Sequence, residues 1–155
     1  MDLFVTVFYG IFDAATGRLD YANAGHHRPI VRRGDGTIEA LSGSGGMMLG
    51  VTAGARFLNH QAELSYGDRL VLYTDGVTEA FNPSNEAYGE QRLIAEIKAH
   101  GDGPADSLVE RIFRSVATFA GTAAQSDDIT LAVLVRADAA PTMAPAQSVG
   151  SAGAS

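Results

Sequence analysis

Up to Thr74 the apolar residues fall in short β-prone runs that end in turn-forming residues, so this part of the chain reads as nearly all β. Residues 3–13 are rich in Phe, Val and Ile and stop at DAATGR, which predicts a strand followed by a turn. LDYANAG follows directly, so the two runs predict a hairpin. PIVRR, the pair Asp35-Gly36 and TIEALS extend this into a predicted meander over the first forty or so residues. After the glycine-rich SGSGGMMLGV, which predicts a flexible connection, FLNHQAEL and DRLVLYT read as two further strands around the turn Tyr66-Gly67-Asp68.

From Gly89 the period changes. Leu93, Ile94 and Ile97, then Leu108, Val109, Ile112, Phe113 and Val116, recur at three and four and predict two amphipathic helices separated by Asp102-Gly103-Pro104. Pro104 suits the start of the second, where its missing N–H wastes no hydrogen bond. ITLAVLV returns to a strand pattern that is apolar on both faces, which predicts a central, covered strand. Beyond it, ADAAPTMAPAQSVGSAGAS offers little to bury. The expected organisation is one α+β domain over residues 1–137 and a flexible low-complexity tail over 138–155, with no internal repeat.

Composition narrows the function classes. The chain has 155 residues, 46% of them hydrophobic, enough for one real core. Eleven basic residues face eighteen acidic ones, a net charge of −7, and no arginines form a run, so nucleic acid is not an expected partner. There is no cysteine, which excludes disulfides, thiolate metal sites and thiol nucleophiles. The N-terminal run lacks a basic flank and is interrupted by Thr6 and Gly10, and no segment has the length of an apolar membrane span. The expectation is a cytoplasmic protein with no membrane partner.

The candidate chemistry lies at two acidic strand ends. LVLYTDGVTEAF places Asp75 just past the C-terminal end of one strand, and SDDITLAVLV places Asp127 and Asp128 just before the N-terminal end of another. If the strands are antiparallel neighbours, these ends coincide. If they are parallel, about seven residues at roughly 3.3 Å each hold the carboxylates about 20 Å apart. Carboxylates about 4 Å apart repel by roughly 1 to 4 kcal/mol, a repulsion that a bound cation relieves. Oxygen donors without thiolates favour Mg²⁺ or Mn²⁺ over Zn²⁺. The competing readings are that Asp75 caps a helical turn at 76–80 and that SDD is a solvated loop.

Other constellations carry less. His26 and His27, as adjacent residues on a strand, point to opposite faces and do not readily share a metal, so structural or hydrogen-bonding roles are expected. Arg28 reads as a surface arginine. SGSGGMMLG lacks the Lys-Ser or Lys-Thr of a phosphate loop and precedes no helix. The DxD signature of haloacid-dehalogenase-type phosphatases fails at Tyr73 and Val77.

The series FVTVFYGIFD, LDYANAGHHRP, GGMMLGV, GDRLVLYTDGVTEAFN, YGEQRL and DDITLAVLV resembles the metal-dependent PPM-type serine/threonine protein phosphatases, and among them the bacterial SpoIIE branch, over residues 2–136. The resemblance implies an antiparallel β-sandwich flanked by helices, with a binuclear Mn²⁺ or Mg²⁺ centre at one end of the sheets. It implies Asp75, from the TDG motif, and Asp127, from the DDIT motif, as metal ligands, with Asp128 as the nearby alternative. Members also carry an earlier motif like GDVxGxG whose aspartate bridges the metals, and no stretch here corresponds to it. The expectation is therefore a C-terminal part of the domain, with the N-terminal part missing, the metal site incomplete and sheet edges left open.

The implied activity is hydrolysis of phosphoserine or phosphothreonine by metal-activated water, with no phosphoenzyme. The implied substrate is a phosphoserine-bearing regulatory protein of the anti-anti-sigma-factor kind. The alternative expectation is a noncatalytic phosphatase-like interaction module that binds partners, or forms a homodimer, through its unfinished sheet.

Overall fold

The computed structural model describes residues 4–43 and 46–137. The tail expected over 138–155, and Ser44 and Gly45 of the glycine-rich connection, lie outside the described residues. Ten elements follow in order: β1 (Val7–Phe12), β2 (Arg18–Ala24), β3 (Ile30–Arg32), β4 (Ile38–Ala40), β5 (His60–Glu63), β6 (Arg69–Tyr73), α1 (Asp75–Thr78), α2 (Gly89–His100), α3 (Ala105–Ala120) and β7 (Leu131–Val135). They form two antiparallel sheets, ordered β1-β2-β5 and β4-β3-β6-β7. No helix among the described residues is long and apolar enough to cross a membrane.

The expected hairpin is present, with Val7 opposite Ala24 and Phe12 opposite Leu19. Its turn is built by Asp13, whose carboxylate accepts from Ala15 N at 2.9 Å, and by Gly17 at φ 82°. The meander does not continue, however. Gly25 takes φ 75° and Pro29 follows, which ends β2, and the chain crosses to the second sheet before β3 begins. β2 then pairs on its other side with β5, while β3 lies between β4 and β6.

Two cores result from this crossing. Between the sheets pack Leu19 and Tyr21 from one side and Val31 and Leu70 from the other, closed by Leu41 and Leu64. On the outer face of the second sheet, Ile30, Val71 and Tyr73 meet Leu93 and Ile97 of α2 and Leu108, Ile112 and Val116 of α3. The helical spacing in the sequence thus reports the face laid on this sheet.

β7 corrects one expectation. Its only described strand neighbour is β6, so it forms an edge of the sheet rather than its centre. It is apolar on both faces because Leu134 packs into the sandwich while Leu131 and Val133 pack toward the helices. Two-sided apolarity here records coverage of the faces, which is separate from position in the ladder.

Buried arginines tie the layers. Arg136, just after β7, donates to Leu64 O at 2.7 Å and to Ala15 O at 3.1 Å, joining the end of the second sheet to the first. Its guanidinium lies 4.1 Å from the Tyr66 ring centre. Arg32 and Arg69 sit on paired strands and hold the turn between α2 and α3, through the Asp102 carboxylate at 2.7 Å and the carbonyls of Asp102 and Gly103. These contacts leave the opposite end of β6 and β7 as the open rim.

Candidate active site at the end of β6 and β7

The strand direction on which the acidic rim depends is antiparallel, with Tyr73 opposite Leu131. Thr74 continues the pairing past both strands. Its N–H donates to Thr130 O at 3.0 Å, and its hydroxyl accepts from Thr130 N at 2.9 Å and donates to Asp128 O at 3.1 Å. Gly76 then passes directly against Asp128. A Cβ at position 76 would lie 2.8 Å from the Asp128 carbonyl carbon, so only glycine admits this approach without displacement. The loop after α3 is also tied to α1, because the Ser126 hydroxyl donates to Glu79 O at 3.0 Å.

Asp75 is the first residue of α1, and Asp127 and Asp128 precede β7. All three are exposed. Asp75 Oδ1 accepts from Gly76 N at 3.1 Å and Asp127 Oδ1 from Asp128 N at 2.7 Å, each the next amide along the chain. Among the described residues none of the three carboxylates joins an ion pair. The competing reading of Asp75 as a cap is met only in part. Thr74 occupies the N-cap position of α1, without a side-chain cap bond.

The histidines stand differently from expectation. β2 has ended at Ala24 and Gly25 has turned the chain, so His26 and His27 are not alternating strand residues, and the opposite-faces argument does not apply. Both line one small pocket of about 80 Å³ with Thr6, Gly25, Thr74 and Asp75. Buried Asn23 braces the turn, donating to His26 O at 2.9 Å and accepting from His26 N at 2.8 Å. Partial burial, and then His27, hold the His26 imidazole below its ordinary value against the pull of Asp75. His27 stacks on Tyr73 with ring centres 5.4 Å apart. Burial pushes the Tyr73 phenol up to about 12. The turn at Gly25 brings both histidines to the pocket that Asp75 also lines.

On the other side of the rim a cleft of about 620 Å³ runs between α1, α3 and the loop before β7, with Gly76 and Asp128 at one edge and Phe81, Phe113 and Val116 along its wall. Exposed carboxylates without a protein counter-cation are the donors a hard divalent ion takes, since Mg²⁺ is commonly held by one or two carboxylates and completes its shell with water. The donor chemistry at the rim therefore fits Mg²⁺ or Mn²⁺ as a partial set. Among the described residues no group of three or more His, Cys, Asp or Glu side chains comes together to hold a metal.

Comparison with known proteins gives a consistent relationship. A family model described as Stage II sporulation protein E (SpoIIE) matches residues 1–137. Protein IcfG of Synechocystis sp. is 31% identical over 136 residues, covering 88% of this chain and 21% of that protein. Phosphoserine phosphatase RsbU of Bacillus subtilis is 31% identical over 137 residues, covering 86% of this chain and 39% of its own length. Among solved structures, the SiaA-PP2C domain of Pseudomonas aeruginosa superposes with a TM-score of 0.66 at 23% identity, over 77% of this chain and 47% of that one. The chain thus spans about a fifth to two fifths of the length of these two relatives and just under half of that solved chain.

Proposed function

The chain belongs to the SpoIIE family, and on that premise we propose that it acts as part of a metal-dependent protein phosphatase that hydrolyses phosphoserine or phosphothreonine. The observation that carries this reading is the antiparallel pairing of β6 and β7, which sets the TDG and DDIT segments side by side. In this reading Asp75 and Asp127 hold Mn²⁺ or Mg²⁺, with Asp128 as the alternative to Asp127. When bound, the ion supplies Lewis-acid activation of water and neutralises charge on the phosphoryl oxygens.

The chain's own residues have separable tasks. Gly76 and Thr74 hold the backbone beside Asp75 against that of Asp128, next to Asp127. The His26 imidazole, kept largely neutral at pH 7 by its surroundings, offers a hydrogen-bonding group beside Asp75 without adding a repelling cation. The cleft walled by Phe81 and Phe113 gives the residues flanking a phosphoserine an apolar surface next to the rim. The substrate in this reading is a phosphoserine-bearing regulatory protein of the anti-anti-sigma-factor kind, and similarity to phosphoserine phosphatase RsbU supports its phosphoserine part.

The test is release of phosphate from a phosphoserine peptide by the pure chain with Mn²⁺, against the same chain with EDTA. Manganese-dependent turnover that disappears in Asp75→Asn supports the reading, and turnover equal in EDTA rejects it. A second reading, a noncatalytic phosphatase-like interaction module, is favoured by one observation: among the described residues no full set of three metal-holding side chains assembles. Native binding of a regulatory partner without turnover at any metal concentration would select it.

A further inference from the structure

The groove between α2 and α3 carries a charge opposite to that of the molecule. Arg92, Arg111 and Arg114 line it together with Glu96, His100, Tyr88 and Phe119, around a volume of about 420 Å³. Three guanidiniums thus face one carboxylate, on a chain whose net charge is −7. We propose that this groove is a docking surface for a short carboxylate-rich segment of a partner protein.

Helical spacing builds it. Arg92, Glu96 and His100 recur at four along α2, while Arg111, Arg114, Ser115 and Thr118 share one side of α3, so two polar stripes face each other above the apolar stripes laid on the sheet. All three arginines are exposed, and among the described residues none is in an ion pair. Glu96 is engaged with His100 at 3.6 Å. Arg92 is held ready, because one nitrogen donates to Tyr88 O at 2.7 Å and to Ala87 O at 3.0 Å while its guanidinium lies 4.5 Å from the Phe119 ring centre. Its Nε and other terminal nitrogen make no hydrogen bond among the described residues. The floor at that end is aromatic, with Tyr88 edge-on to Phe119 and its hydroxyl 2.8 Å from the Ser115 hydroxyl.

Shape and charge select the occupant. Twelve residues of α2 run about 18 Å, the length of roughly five extended residues, so the groove suits a peptide segment better than a point anion. Guanidinium forks pair with carboxylates in a bidentate way, and unpaired arginines beside aromatic rings are the composition of interface anchors. Screening over about 8–10 Å separates a short segment from the carboxylates elsewhere on the chain, whereas a long polyanion would meet them. The proposal stands on this charge and shape and does not depend on the metal reading.

The experiment titrates the full chain, in EDTA, into a fluorescein-labelled peptide of alternating Glu and Ala, with the Gln-Ala peptide as its neutral counterpart, and follows anisotropy. The Glu peptide should bind, weaken between about 50 and 300 mM salt, and lose about tenfold or more in affinity in R111E/R114E. R56E/K98E, with the same change in net charge at exposed positions outside the groove, should stay within about twofold. Thermal melts show that each variant is folded, and the milder R111Q/R114Q should give an intermediate loss. Unchanged binding in R111E/R114E, equal binding of the Gln peptide, or an equal loss in R56E/K98E overturns the proposal. Tighter binding of single-stranded DNA or of anionic vesicles through the same arginines would assign the groove to that class and overturn it as well.

Discussion

Gly76 lies against Asp128 so closely that a methyl group at position 76 would come 2.8 Å from the Asp128 carbonyl carbon. This contact, together with the Thr74 and Ser126 hydroxyl bonds, joins the start of α1 to the segment that precedes β7. Gly76 is not among the glycines with positive φ, and alanine favours helices, so backbone preference alone would make Gly76→Ala neutral or stabilising. The clash decides the sign. Gly76→Ala should lower stability by about 1–3 kcal/mol in urea unfolding and weaken any Mn²⁺ response. A variant as stable as the parent would show that the two segments part without cost.

A cation bound only by the native state raises the melting temperature. Mn²⁺ should therefore stabilise the parent chain, and the shift should vanish in Asp75→Asn and in Asp127→Asn while surviving in Asp128→Asn. Thermal melts with Mn²⁺ and with EDTA read the effect directly. Loss of the shift in Asp128→Asn, with retention in Asp127→Asn, would move the second ligand by one residue.

Tyr73 gives a prediction at high pH. Its phenol is raised from 10.0 to about 12 by burial, so the native state keeps the proton longer than the unfolded chain does. Below pH 10 this contribution is fully present, and it is lost as pH rises from 10 through 12. Among the described residues the Tyr73 hydroxyl makes no hydrogen bond, so Tyr73→Phe should cost little at neutral pH and flatten the fall in stability over that window. Unfolding midpoints of the two chains at intervals across it provide the comparison.

Arg136 should be a stability residue with no part in metal binding. Arg136→Met leaves Leu64 O and Ala15 O without their donors and removes the stack on Tyr66. The loss should be about 2–4 kcal/mol. The Mn²⁺-dependent melting shift should remain, because Arg136 lies at the end of β7 away from the rim. A coupled loss of both would contradict that separation.

Much of the local structure was legible before any coordinates. Apolar, β-prone runs bounded by turns placed β1, β2 and β6, the three-and-four spacing placed α2 and α3, and the series of motifs including TDG and DDIT pointed to the family. The meander was not correct, because Gly25 and Pro29 read as one turn among several and nothing local says that the chain changes sheets there. The position of β7 was misjudged for a related reason: two apolar faces record what covers a strand, and an edge strand between a sandwich and a helix pair is covered on both.

By itself the sequence determined the elements, their buried faces and which carboxylates stand at strand ends, since these follow from the spacing of side chains along one segment. Only the tertiary structure decided that β6 and β7 run antiparallel, that Gly76 meets Asp128, that His26 and His27 line one pocket with Asp75, and that three arginines gather between two helices. Each of these depends on contacts between residues far apart in the chain, and such contacts are set by how the layers pack as a whole.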